Sequence, residues 1–144
     1  MSISFDIDLH DAARDGVFFA TQDDIAALDA AARQTSLRIV RVDLHDCTDK
    51  DSVMRHLNDA LHFPAGFGAN WDALTDCLRD LSWLAAPGYL ILLMHGQTLR
   101  EANEEVFDTL LDVLDEAAEH WFDAKIPFFA FLALPESALD EIDA

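Results

Sequence analysis

Apolar residues along the chain follow two different spacings. Four short stretches are almost continuously apolar, which is typical of strands buried on both faces; they are GVFFA (16–20), LRIVRVDL (37–44), GYLILLM (88–94) and IPFFAFLAL (126–134). Between them, apolar residues recur every three or four positions and predict helices over about 22–34, 49–62, 71–82 and 99–121. Strands that alternate with helices indicate an α/β fold, with a three- to four-stranded, mostly parallel sheet covered by helices.

Helix starts can be read from capping residues. A capping-box pattern, in which two side chains each bond the other's backbone N–H, occurs at Thr21–Asp24, Thr48–Asp51 and Thr98–Glu101. Pro64, Gly66 and Gly68 predict a loop before the third helix, and Asn70 is a good N-cap for it. We see no internal repeat and no linker, so the 144 residues predict a single domain.

The chain is strongly acidic, with a net charge of −19 and an uneven distribution. Residues 72–144 contain 16 acidic and 3 basic residues, whereas residues 1–71 contain 12 and 6. This balance argues against direct binding of nucleic acid or of an anionic membrane, because both need Lys and Arg. It suits a basic partner, although acidity can also serve solubility alone.

Targeting signals and cysteine spacing bear on the compartment. The first 15 residues show no signal peptide, and no apolar run is long enough to cross a bilayer. Cys47 and Cys77 form neither a disulfide framework nor a zinc motif. We therefore expect a cytoplasmic protein in a reducing compartment.

The usual signatures of enzymes and metal sites are absent from the sequence. Glu116 and His120 are four residues apart and could share a metal, but an exposed helix face explains the pair better. Cys77 lies beside an apolar helix stripe and is expected to be a buried structural thiol. We expect no catalysis, no cofactor and no metal.

Asp72 and Asp76 are four residues apart, so they share one helix face and repel each other by a few tenths of a kcal/mol, about 0.2–0.5. The helix dipole favours an acid in the first turn and explains Asp72 alone. Asp76 lies past that turn. It is either a solvated acid or part of a binding surface. A general acid/base pair is disfavoured, because no basic residue stands beside the two acids to bind a substrate.

The stretch FPAGFGANWDALTDCL (63–78) resembles the signature of the barstar family, the intracellular inhibitors of barnase-type ribonucleases. The matching residues follow the family spacing without a gap; they are Pro64, Phe67, Gly68, Asn70, Asp72, Ala73, Leu74, Asp76, Cys77 and Leu78. The resemblance covers roughly residues 37–134 and implies a barstar-like core there. Residues 1–36 would then be an extension that adds a βα unit, and residues 135–144 an acidic tail, either a short helix or disordered.

The resemblance also implies a function. In the family, an acidic helix and the loop before it plug the nuclease active site, so Asp76 would stand in for a substrate phosphate, with Asp72 supporting it and Glu116 adding a contact. The remaining implied contact residues are Gly66, Phe67, Gly68, Ala69, Thr75 and His120. Thr75 and Gly66 stand where the best-known members have aromatic residues, and His120 where they have a second acid. The implied partner is a basic ribonuclease bound by a free monomer; the alternative is an interaction module that binds a different basic protein.

Overall fold

The computed structural model describes residues 16–143, and the environments of side chains in residues 16–140. The sequence up to residue 15, expected to be a loose lead-in, lies outside the described residues. Four parallel strands form one sheet in the order β1-β4-β3-β2. The strands are β1 (Gly16–Ala20), β2 (Arg38–Asp43), β3 (Tyr89–Met94) and β4 (Phe128–Ala133). The helices are α1 (Gln22–Ala32), α2 (Lys50–Leu61), α3 (Trp71–Asp80), α4 (Gln97–Ala102), α5 (Glu104–Asp123) and α6 (Glu136–Asp143).

The sheet has helices on both faces, so its central strands β3 and β4 are buried almost throughout. Successive side chains of a strand point to opposite faces. Tyr89, Ile91 and Leu93 pack with α2, α3 and α5 in the larger core. Leu90 and Leu92 pack with α1 in a smaller core on the other face. The predicted α/β fold is confirmed, and the sheet is fully parallel among the described residues.

The predicted N-terminal βα unit is present. Strand β1 pairs with β4 along its whole length, from Gly16 opposite Phe129 to Ala20 opposite Ala133. Helix α1 begins at the predicted capping box of Thr21 and Asp24. It then crosses the sheet to reach β2 at the opposite edge. The extension therefore completes the sheet and its second core.

The single helix predicted over 99–121 is wrong. The chain bends at Asn103 (φ −156°, ψ 84°), so α4 ends there and α5 begins. The Asn103 side chain accepts a 3.2 Å hydrogen bond from the N–H of Val106 and caps α5, while Thr98 and Glu101 lie within α4 and form no capping box. A short polar side chain that bonds nearby N–H groups favours a helix end over the helix interior.

Two other boundaries also differ from the prediction. Helix α2 is capped by Asp49 with Ser52, not by Thr48 with Asp51. Helix α3 ends at Asp80, before the predicted Ser82, because Leu81 adopts a left-handed conformation (φ 49°) and is fully buried. A short 3-10 helix, Ser82–Leu84, follows. Within the described residues, no helix is both long and apolar enough to span a membrane.

Candidate partner-binding surface

The loop before α3 is anchored by aromatic packing. Phe63 is buried, and the Phe67 ring packs against it with a centroid separation of 4.5 Å. The N–H of Phe67 donates to the carbonyl of Pro64 at 3.2 Å, which closes a turn. Gly66 lies inside this turn at φ 91°, a backbone conformation that favours glycine. Phe67 thus serves packing at least in part, while Gly66 and Gly68 remain exposed.

The start of α3 is set by two consecutive residues. Ala69 is exposed and holds a left-handed conformation, φ 53°, which is costly for any residue with a Cβ. Asn70 then turns to an extended conformation, and its side-chain oxygen accepts a 2.8 Å hydrogen bond from the N–H of Ala73. The predicted N-cap is confirmed, and this junction directs the acidic end of α3 outward.

Asp72 and Asp76 are both exposed on α3. Leu74 and Leu78, on the opposite side of the helix, are fully buried, which fixes the rotation of α3. Thr75 is half-buried, and its hydroxyl donates to the carbonyl of Trp71 at 2.9 Å. Its short side chain thus bonds to its own helix.

Helix α5 packs beside α3. The indole N–H of Trp121 donates a buried 2.8 Å hydrogen bond to the carbonyl of Leu78. A hollow of about 280 Å³ lies between the two helices; it is lined by Arg79, Glu116, Glu119, His120 and Asp123. Glu116 is exposed and His120 is half-buried. Because Arg79 is three residues after Asp76, this hollow continues the face of α3 that carries Asp76.

Asp72, Asp76 and Glu116, together with the loop 64–69, define what we call the acidic surface. Among the residues whose side chains the structure describes, none of these three carboxylates forms an ion pair or a hydrogen bond through its side chain. Helix α5 adds further negative charge, because it contains eight acidic residues and neither Lys nor Arg. The acidic surface can therefore receive cationic groups without first breaking internal ion pairs.

The sequence missed the lining role of Arg79 and Glu119. Helical spacing could have indicated both residues, since Arg79 follows Asp76 by three residues and Glu119 follows Glu116 by three. What the sequence lacked was the pairing of α3 with α5. Glu116 and His120 do line one hollow, but in the described part of the chain they form no group of three donor atoms that all lie within 4.8 Å of one another.

The Cys77 thiol is half-buried, less enclosed than expected. Burial raises its pKa, and the nearby carboxylates of Asp80 and Asp76 raise it further. The thiol is therefore protonated at neutral pH and is a poor nucleophile. This supports the structural role that the sequence predicted for Cys77.

Comparisons with known proteins bear on the whole domain. No curated protein sequence matches the chain. Among solved structures, the ORC2 protein of Aeropyrum pernix (ADPNP–ADP complexes) is similar with a TM-score of 0.53 and 16% identity, over 89% of this chain and 37% of that one. The chain thus spans little more than a third of that structure, and the likeness shows the fold alone. Residues 37–133, about two thirds of the sequence, match the family model described as Barstar (barnase inhibitor). The chain therefore belongs to the barstar family.

Proposed function

We propose that this protein inhibits a basic ribonuclease by covering its active site with the acidic surface. Asp76 takes the place of a substrate phosphate, Asp72 supports it from the preceding turn, and Glu116 adds a contact from α5. The loop 64–69, Thr75 and His120 form the rest of the contact area. The protein acts in the cytoplasm as an antitoxin or immunity protein, is a monomer when free, and needs no cofactor. Family membership supports an inhibitory, non-catalytic role.

One observation carries the proposal. Asp72, Asp76 and Glu116 are exposed and have no ion-pair partner among the described residues. Asp72 and Asp76 repel each other in the free protein, at a small cost. A ribonuclease site that binds phosphate presents Arg, Lys or protonated His. Such cationic groups attract both carboxylates, and this attraction outweighs the repulsion between them.

The charge of the whole protein supports the same partner. A net charge of −19 creates a long-range field that accelerates encounter with a basic protein. Salt screens this field, with a Debye length of about 10 Å at 0.1 M ionic strength. We therefore expect the association rate constant with the ribonuclease to fall steeply as salt is added, while the dissociation rate constant changes less.

Thr75 and Gly66 favour a partner other than barnase itself. Both lack the aromatic side chain of the best-known family members, and aromatic residues are enriched among the contacts that dominate binding energy. The Thr75 hydroxyl bonds back to its own helix, and Gly66 has a positive φ that disfavours any residue with a side chain. The same observation supports the second candidate function, a module that binds a different basic protein.

The test is inhibition of a panel of barnase-type and other basic ribonucleases by the purified protein and by two variants. Asp76→Ala removes the central carboxylate. Asp23→Ala is the matched control, because Asp23 is also an exposed helical acid but lies on α1, which packs on the opposite face of the sheet. Loss of one partner of a buried charge pair costs about 2–5 kcal/mol, on the order of 30-fold to several thousand-fold in Kd.

We expect Asp76→Ala to lose inhibition by that factor and Asp23→Ala to keep it. Equal inhibition by the wild type and Asp76→Ala would show that the acidic surface is not the contact site. If no ribonuclease is inhibited, the proposed target class is wrong and the interaction-module function gains support.

A further inference from the structure

A second group of polar side chains lies away from the acidic surface, where the loop after β2 meets α2. It consists of Asp46 and Cys47 in the loop and His56 on the helix. The carboxylate, the thiol sulfur and a ring nitrogen of these residues all lie within 4.8 Å of one another. The fold brings His56 to the two adjacent loop residues, since it follows Cys47 by nine residues and no CxxC or HxxxH motif marks the group.

Each donor is held by a separate feature of the chain. The N–H of Cys47 donates to the carbonyl of Leu44 at 3.0 Å, and this turn places the side chain of Cys47 in the larger core, fully buried. The Nε2 atom of His56 lies 2.8 Å from a carboxylate oxygen of Asp46. The Asp46 side chain is 58% exposed, so this side of the group is open to solvent. The group thus combines a buried sulfur, a half-buried imidazole and an exposed carboxylate.

We propose that Asp46, Cys47 and His56 bind a zinc ion, with the fourth tetrahedral position left to water or to a group from a partner. Thiolate, imidazole and carboxylate are the donors that zinc takes in proteins, at about 2.3 Å for sulfur and about 2.0–2.2 Å for nitrogen and oxygen. Tetrahedral bonds of these lengths separate the donor atoms by roughly 3.3–3.8 Å. Asp46 and His56 must therefore part by less than about 1 Å from their present 2.8 Å, which the exposed side chain of Asp46 allows.

Zinc binding would change the state of the thiol. Burial raises the pKa of Cys47 to about 11, a hydrogen bond from Ser52 opposes this, and Asp46 and Asp43 raise it further while Arg55 lowers it. On binding zinc, the Cys47 thiol would release its proton to solvent, and the metal would replace that proton on the sulfur. The acidic side chains around the group compensate for the charge of the ion.

The consequence is a cross-link between the loop after β2 and the middle of α2. Helix α2 leads directly into the loop that carries Gly66 and Phe67, so zinc would steady the element that precedes the acidic surface. By mass action, a ligand that binds only the folded protein stabilises it. The zinc site does not depend on the proposed ribonuclease inhibition, and either can fail alone.

Cobalt(II) is the probe for this site, because a cobalt–thiolate bond gives an intense near-ultraviolet absorption. Zinc added afterwards displaces the cobalt and removes this absorption. We expect the full-length protein to show this absorption with one cobalt per chain. His56→Gln and Asp46→Asn change half-buried and exposed positions, should fold normally, and should weaken cobalt affinity at least tenfold. Cys47→Ser should abolish the absorption.

Two controls separate this group from other donors. Cys77→Ser removes the other thiol, and His120→Gln removes a histidine of α5; both should leave cobalt binding unchanged. The proposal is overturned if the wild type gives no thiolate absorption, if Cys77→Ser removes it, or if neither His56→Gln nor Asp46→Asn weakens binding.

Discussion

The indole of Trp121 on α5 satisfies the carbonyl of Leu78 on α3 through a buried hydrogen bond of 2.8 Å. The last carbonyls of a helix have no partner within the helix itself. Leu78 is two residues from the end of α3, so its carbonyl is one of these. This contact therefore completes the end of α3 and, together with the apolar packing between the two helices, holds α5 beside it, with Glu116 near the face of Asp76.

Trp121→Phe should lower the free energy of unfolding by at least about 1–3 kcal/mol. The smaller ring still packs in the core, but the Leu78 carbonyl is left buried without its donor. Trp83→Phe is the matched control, because Trp83 makes the same kind of bond, 2.8 Å to the carbonyl of Leu61 at the end of α2, at a half-buried position that water can reach. Urea denaturation measures the free energy of unfolding of both variants. An equal loss in the two would show that burial of the Leu78 carbonyl does not make its hydrogen bond more important.

The fold was readable because β1, β3 and β4 are apolar at almost every position, while β2, at the edge of the sheet, keeps its apolar residues at Ile39, Val40 and Val42. Residues such as Leu90 and Ile91 are buried on opposite faces, and only a sheet covered on both sides accommodates both. The break at Asn103 was not readable. Apolar residues continue at helical spacing through it, and the break shows only in the structure, in the backbone angles of Asn103 and in the hydrogen bond from the N–H of Val106 to its side chain.

The acidic surface was readable only in part. The spacing of Asp72 and Asp76 places both on one side of α3, and the apolar residues Leu74 and Leu78 show which side is buried. Glu116 was assigned from the family resemblance, since no local pattern tells which of the acids on α5 faces α3. That choice depends on the hydrogen bond of Trp121 and on the hollow shared with Arg79, both of which are tertiary contacts.

Asn70→Ala should lower the free energy of unfolding by about 0.5–2 kcal/mol, because the N–H of Ala73 loses the acceptor that caps α3. Asn70→Asp should keep most of the stability, since a carboxylate also caps and favours the helix dipole. Asn58→Ala is the control, an exposed asparagine inside α2 where alanine is the better helix former. Thermal unfolding measures all three. A loss in Asn70→Asp as large as in Asn70→Ala would show that the cap is not the cause.

Replacing alanine by glycine should change the free energy of unfolding in opposite directions at Ala69 and at Ala27. Ala69 has a left-handed backbone, φ 53°, and glycine relieves that strain, so Ala69→Gly should raise the free energy of unfolding by up to about 1 kcal/mol after the entropy of the unfolded chain is counted. Ala27 is exposed in the middle of α1, and Ala27→Gly should lower it by about 1 kcal/mol. Equal losses in urea denaturation would mean that Ala69 is not strained.

The ion pair between Asp29 and Arg41 should make stability depend on pH in the acid range. Arg41 donates two hydrogen bonds to the Asp29 carboxylate, one of them 2.7 Å from Nε, and joins α1 to β2. These hydrogen bonds hold the pKa of Asp29 below its usual value; burial opposes them, and the charges of Arg41 and Arg33 add to them. A lowered pKa in the folded state means that the ion pair stabilises the protein above the unfolded value of about 3.9, and that this contribution is lost as pH falls through the folded value.

Asp29→Asn should therefore lower the free energy of unfolding at pH 7 by about 0.2–1 kcal/mol, the range for exposed pairs. The difference between variant and wild type should shrink below about pH 4 and vanish once the pH lies below the lowered pKa of Asp29 in the folded protein, where the wild-type carboxylate is also neutral. Asp59→Asn is the control, because Asp59 is an exposed acid of α2 with no ion pair among the described residues. Urea denaturation of the three proteins across this pH range gives the comparison. A difference for Asp29→Asn that stays constant with pH would assign the loss to packing of the carboxylate and not to its charge.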